Sequence, residues 1–191
     1  MAIAYSFKKR IFSRPGLLTI ISIIAISTLL PLLSHIKSLS AASDLDNLSV
    51  KIVRVNDGDT VTIFANGKKE RVRLIGIDAP ELGQRPWGRR ASRHLKEIID
   101  GSGNTVTVEL DVEKRDKYGR VLAYLWTDDR ELINLRMIED GYAVLFTIPP
   151  NVRHADEFRE GQRKARQEGL GIWGKNGLRE RPWKYRREHP F

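Results

Sequence analysis

Apolar and polar residues along this chain change period several times, and the changes divide it into elements. Residues 50–56 place Ile52, Val53 and Val55 among polar neighbours and predict a strand. Residues 60–64 alternate Val61 and Ile63 with Thr60 and Thr62, the two-residue period of a half-buried strand. Asn66-Gly67 is a strong hairpin signal, and it returns the chain into a third strand over 71–77. There Val72, Leu74, Ile75 and Ile77 break strict alternation, which predicts a strand covered on both faces. A Gly/Pro/Arg loop fills 82–90. Ala91, Leu95, Ile98 and Ile99 then mark one face of a helix that stops at Gly101–Gly103. Residues 105–110 and 121–126 read as a fourth and a fifth strand. Ile133, Leu135, Met137, Ile138 and Tyr142 predict a short helix closing at Gly141. Residues 153–167 predict a charged helix whose thin apolar side is Ala155, Phe158 and Ala165, broken by the glycines of 169–174. Five short strands with helices inserted late predict an α+β fold with a mainly β core, a small closed or nearly closed barrel.

The first 43 residues follow a different rule. Lys8, Lys9, Arg10 and Arg14 precede an uncharged apolar run over 16–33, and small residues follow at Ser38, Ser40, Ala41 and Ala42. A positive flank, an apolar core and a small-residue exit describe an export signal, with cleavage after Ala42. The run is long for a signal core and slightly short for the ~20 residues of a spanning helix, so a cleaved signal and a retained N-terminal membrane anchor both remain open. Either way the positive flank stays inside and the remainder is placed outside the cytoplasm, secreted, periplasmic or tethered. Residues 44–49 read as a polar linker, 50–174 as the globular domain, and 175–191 as a basic C-terminal extension holding Trp183 and Tyr185.

The formal net charge of +9 favours polyanionic partners, nucleic acid or an anionic membrane. Its distribution is uneven. Residues 50–152 carry 17 Lys or Arg against 16 Asp or Glu, while 153–191 carry 11 against 6. A carboxylate-rich site therefore belongs in the middle, with basic flanks. The absence of cysteine excludes disulfides, thiolate metal sites and cysteine nucleophiles.

Three clusters hold candidate chemistry: Asp57-Gly58-Asp59-Thr60 at a turn; Arg73, then Asp78-Ala79-Pro80-Glu81 at the end of the third strand; and Asp116-Lys117-Tyr118-Gly119-Arg120 at a turn into the fifth. Singly, each has an ordinary reading as a turn or a strand end. Arg73 is harder to explain away, because a guanidinium inside an apolar strand needs an anionic partner, such as Asp59 or Glu81. Together the clusters suit phosphodiester hydrolysis. Carboxylate and carbonyl oxygens hold a hard cation such as Ca²⁺, a further carboxylate handles the water, and arginines clamp phosphate oxygens. His94, His154 and His189 show no ligand spacing.

In this order the three clusters closely resemble the staphylococcal nuclease (thermonuclease) family, from about Val50 to Trp173. The resemblance implies a five-stranded oligonucleotide-binding barrel with three helices. It also implies a Ca²⁺-dependent endonuclease that cuts DNA, RNA or both and leaves 3′-phosphate ends; the chain is expected to act as a monomer. Carried over by position, Asp59 and Asp78 would be carboxylate ligands of the ion, Ala79 would offer its backbone carbonyl, and Asp57 would stand behind them. Glu81 would activate or position the water. Arg73 and Arg120 would bind the phosphate, and Lys117 and Tyr118 would contact the nucleotide's terminal phosphate. The chain departs from the family in a shortened loop carrying Arg85, Trp87, Arg89 and Arg90. It also lacks evident base-stacking tyrosines in 143–148, where Phe146 reads more readily as core. A non-catalytic binding module is the alternative, and it leaves the retained carboxylates and arginines without a use.

Overall fold

The structure, a computed structural model, describes residues 42–190. The apolar run of 16–33 lies outside the described residues; among those described, no helix is long and apolar enough to cross a membrane.

Five strands close into a barrel: β1 (Ser49–Val55), β2 (Thr60–Ala65), β3 (Lys68–Leu74), β5 (Thr105–Arg115) and β6 (Val121–Trp126). They run in the order β1-β2-β3-β6-β5, and β5 pairs back onto β1. Every pairing is antiparallel except β3 with β6, which sets Val72 beside Val121 and Leu74 beside Ala123. The period-2 pattern explains the closure. Ile52, Val61, Ile63, Val72, Leu74, Val106, Val108, Leu110, Val121, Ala123 and Leu125 all point inward and are buried, each stabilising the fold by about 1.5–3 kcal/mol for the larger side chains. The helices α1 (Trp87–Gly101), α2 (Ile133–Glu139) and α3 (Ala155–Glu168) add their apolar stripes through Ala91, Leu95 and Ile99, through Ile133, Met137 and Ile138, and through Phe158 and Ala165.

Where the alternation breaks, the chain turns. The segment read as one strand over 71–77 is two. β3 ends at Leu74, Gly76 takes φ +79°, and β4 (Gly76–Asp78) leaves the barrel to pair with β7 (Val144–Phe146). Asn134, fully buried, ties this junction down: its amide donates to Ile75 O at 2.9 Å, and its Oδ1 accepts Leu125 N–H at 3.0 Å. Phe146 is half-buried on β7, opposite Gly76.

Residues 44–48 dock on β5. Leu45 is buried, Asn47 N–H donates to Val108 O at 2.7 Å, and Asp46 Oδ1 accepts Leu110 N–H at 2.8 Å. A fourth helix, α4 (Pro182–Glu188), stands in the basic C-terminal extension.

Candidate active site

The site forms where β2 begins and β4 ends. Asp57 folds the turn before β2 by accepting Asp59 N–H on Oδ1 at 3.0 Å. Gly58 lets that turn approach its neighbours, because a β-carbon there would lie 2.6 Å from that of Ala79 and 2.8 Å from that of Ala91. With the turn this close, Asp59 Oδ2 accepts Ala79 N–H at 2.8 Å. Asp59 O accepts Leu74 N–H at 2.9 Å, joining the turn to the end of β3.

Arg73 is β3's rung opposite Thr60. Its Nη1 donates to Leu74 O and its Nη2 to Ile77 O at 2.8 Å, which fastens the guanidinium across the β3–β4 corner. The same Nη2 lies 3.2 Å from Asp59 Oδ2 and 3.4 Å from Asp78 Oδ1. One cationic nitrogen thus reaches both carboxylates. The anionic partners of Arg73 are Asp59 and Asp78, and Glu81 pairs with another cation. Asp78 is 0% exposed. Burial pushes its carboxyl above the ordinary range, and nearby guanidinium groups oppose that push. Burial, followed by the charge of Asp59, pushes Asp57 up to about 6.

This crowding of buried acids calls for positive charge, which is the condition a divalent cation fits. Among the described residues no group of three His, Cys, Asp or Glu side chains is gathered to hold an ion unaided. An ion here would rest on Asp59 and Asp78, with a backbone carbonyl such as that of Ala79 and water completing the 6–8 oxygens that Ca²⁺ takes.

The profile of the family described as "Staphylococcal nuclease homologue" matches residues 71–175, more than half of the chain. The chain belongs to the staphylococcal nuclease family. It is 37% identical over 138 residues to a thermonuclease of Staphylococcus intermedius, covering 70% of this chain and 80% of that one. It is 34% identical over 139 residues to endonuclease YncB of Bacillus subtilis (strain 168), covering 68% of this chain and 64% of that relative. A thermonuclease of Staphylococcus hyicus is 31% identical over 136 residues, covering 69% of this chain and 79% of its own length. As a member of this family the chain is a nuclease.

The nuclease's remaining candidates form a second group, on the turn between β5 and β6. Asp116 organises it, accepting the N–H groups of Tyr118 and Arg120 on Oδ1 and Arg120 Nε–H on Oδ2 at 2.7 Å. The Arg120 guanidinium stands 5.6 Å and Lys117 Nζ 5.1 Å from the Tyr118 ring, which is 72% exposed as a residue. Arg120 immediately precedes β6, in which Leu122 is the strand partner of Arg73. The histidines have structural partners: His94 stacks on Tyr142 beside Asp140, and His154 packs edge-on against Tyr124 beside Glu109.

Sequence reasoning missed Arg186. Its Nη1 donates to Asp78 Oδ1 at 2.8 Å and to Glu81 Oε1 at 2.6 Å, and its Nη2 to Asp78 Oδ2 at 3.2 Å. Pro182, at the first turn of α4, was the available signal for a helix start there. The basic character of the extension was legible; the docking that brings one of its arginines to Asp78 was not.

Proposed function

We propose that this nuclease hydrolyses DNA, RNA or both with calcium, severing the P–O5′ bond to leave 3′-phosphate and 5′-hydroxyl ends. The observation that supports this reading is the convergence of Asp59 and Asp78 on one guanidinium nitrogen of Arg73, with Glu81 three residues along the chain. When bound, the ion supplies charge that neutralises phosphate oxygens and lowers the cost of adding an anionic nucleophile. The rest falls to the chain's own residues. Glu81 orients the attacking water and takes its proton. Arg73 and Arg120 donate hydrogen bonds to the phosphate oxygens as charge builds on them, and Arg120 also steadies the leaving O5′, which takes a proton from solvent water as the P–O5′ bond breaks. Lys117 and Tyr118 meet the terminal phosphate. Residues 1–43 act as an export signal or membrane anchor, residues 16–33 being the part that would enter the membrane, and the barrel works as a monomer outside the cytoplasm.

The test is digestion of plasmid DNA and of a structured RNA by the full chain, with Ca²⁺ and with chelator. Cleavage is expected only with Ca²⁺, and fragments should accept a 5′-phosphate from a kinase without prior dephosphorylation. Glu81→Gln should abolish cleavage while the melting temperature moves little. Robust Ca²⁺-dependent digestion by Glu81→Gln refutes the role given to Glu81; retarded but uncut DNA with the unaltered chain would favour a binding module. The mass of the mature N-terminus decides between a cleaved and a retained leader.

A further inference from the structure

Arg186 is one of several arginines in the C-terminal extension, and its surroundings separate it from the others. Arg179, Arg181 and Arg187 are exposed. The Arg186 side chain is 33% exposed and spends its guanidinium on two carboxylates. It forks onto both oxygens of Asp78, the geometry in which arginine binds carboxylate most strongly.

The placement is built in by the segment that carries it. Gln84 bridges the extension to the acidic loop: its Oε1 accepts Glu81 N–H at 2.9 Å while its Nε2 donates to Glu180 O at 2.8 Å. Trp87 Nε1–H reaches Asn176 O at 3.2 Å. Pro182 is buried, and the Tyr185 hydroxyl lies 2.4 Å from where a β-carbon on Gly83 would stand. Residues 83–87 therefore act as a dock for α4, and Arg186 is delivered from that dock to the acids.

The consequence is electrostatic and rests on the reading that Asp78 ligates the ion. Arg73 supplies one cation to Asp59 and Asp78 jointly. Arg186 supplies another and engages both Asp78 oxygens. A cation that takes an oxygen of Asp78 comes to lie beside the forked guanidinium, and the repulsion between the two charges opposes its binding. We propose that Arg186 is a further functional residue of this site: a cation tethered to the chain that holds Asp78 and Glu81 in the ion's absence and competes with the ion for Asp78, thereby setting the ion affinity.

The experiment is calorimetric titration of Ca²⁺ into the full chain without nucleic acid, for the unaltered protein, Arg186→Ala, Arg186→Lys and Arg187→Ala, with thermal unfolding in chelator as the check on folding. Removing a forked cation that opposes the ion is expected to tighten Ca²⁺ binding by roughly ten- to a hundredfold in Arg186→Ala. Arg186→Lys, which keeps the charge and loses the fork, should tighten it by a smaller factor and carries the test if the alanine chain does not fold. Arg187→Ala, altered at an exposed neighbour over Trp183, should bind as the unaltered chain does. Unchanged or weaker Ca²⁺ binding on loss of Arg186 overturns the proposal alone, since a mere prop for the acids would give that result. Binding by none of the chains overturns both the proposal and the calcium reading beneath it.

Discussion

Replacing Asn134 with alanine tests how the corner that carries Asp78 is held. Val108 uses its backbone groups on Asn47 and Leu48, so its partner on β6, Leu125, turns its N–H away from β5 and toward Asn134. On the other side, the Asn134 amide satisfies Ile75 O at 2.9 Å and reaches Ala123 O at 3.3 Å. Ala123 O keeps a second donor, Ile75 N–H at 2.9 Å, so its loss counts for little. Alanine leaves two buried groups to account for, the Leu125 N–H and the Ile75 carbonyl. An unsatisfied buried group costs about 1–3 kcal/mol, and alanine's better helix propensity in α2 returns about 0.5 kcal/mol. The net expectation is a loss of about 3 kcal/mol. For a domain of this size that lowers the melting temperature by roughly 6–12 °C. Urea unfolding and calorimetry of the full chain measure both quantities. Asn134→Asp keeps the acceptor but turns an oxygen toward two carbonyls, and should lose at least as much at neutral pH. A loss under about 1 kcal/mol for both variants would refute the account, because the corner would then owe its geometry to packing alone.

Three further outcomes are expected. Arg120→Ala, which breaks a partly buried pair with Asp116 and a ring contact, should cost about 1 kcal/mol of stability yet lower kcat/KM by roughly 10²–10³; Arg73→Ala, which takes a buried cation from Asp59 and leaves Asp78 to Arg186, should cost about 3 kcal/mol as well as activity, so melts run beside kinetics distinguish the two arginines. Burial pushes the Glu109 carboxyl up, but hydrogen bonds from Arg153, Trp126 and His154 outweigh it and leave the group below its ordinary range; its stabilisation should be complete above about pH 4.3 and disappear as acid protonates it below that, so the urea stability gap between the unaltered chain and Glu109→Gln should shrink from pH 6 to pH 3. Gly58→Ala should destabilise by about 1–3 kcal/mol through overpacking, since its β-carbon would press on Ala79 and Ala91; an unchanged midpoint in a denaturant titration would show that the turn has room to retreat.

Much of the barrel was legible because its inward positions alternate: Val61 and Ile63, or Val106 and Val108, state their strand and face without help from distant residues. The β3–β4 corner was not. Leu74 and Ile75 are consecutive apolar residues, and the local pattern cannot tell a strand buried on both faces from a strand that ends and sends its next residue toward another helix. What separates the two is Asn134, roughly sixty residues on, which claims the Ile75 carbonyl. In the candidate site, Asp59, Arg73, Asp78 and Glu81 were readable as types at a spacing. The partner of Glu81 was not, because the Arg186 contact spans 105 residues of sequence and depends on the dock at Gly83 and Gln84. Seven residues of α4 declare a helix through Pro182, but nothing local declares where that helix lies.

The parallel pairing of β3 along β6 has a bearing on when this enzyme can become active. Hairpin partners can zip as soon as both are made, but Val72 and Val121 come from distant parts of the chain, and joining them carries the entropy of closing a long loop. Until that seam shuts, Arg73 and Arg120, the arginines proposed to bind phosphate, belong to unconnected stretches of polypeptide. On that reading a chain whose seam is still open is expected to cut nothing, so that topology ties activity to completed folding.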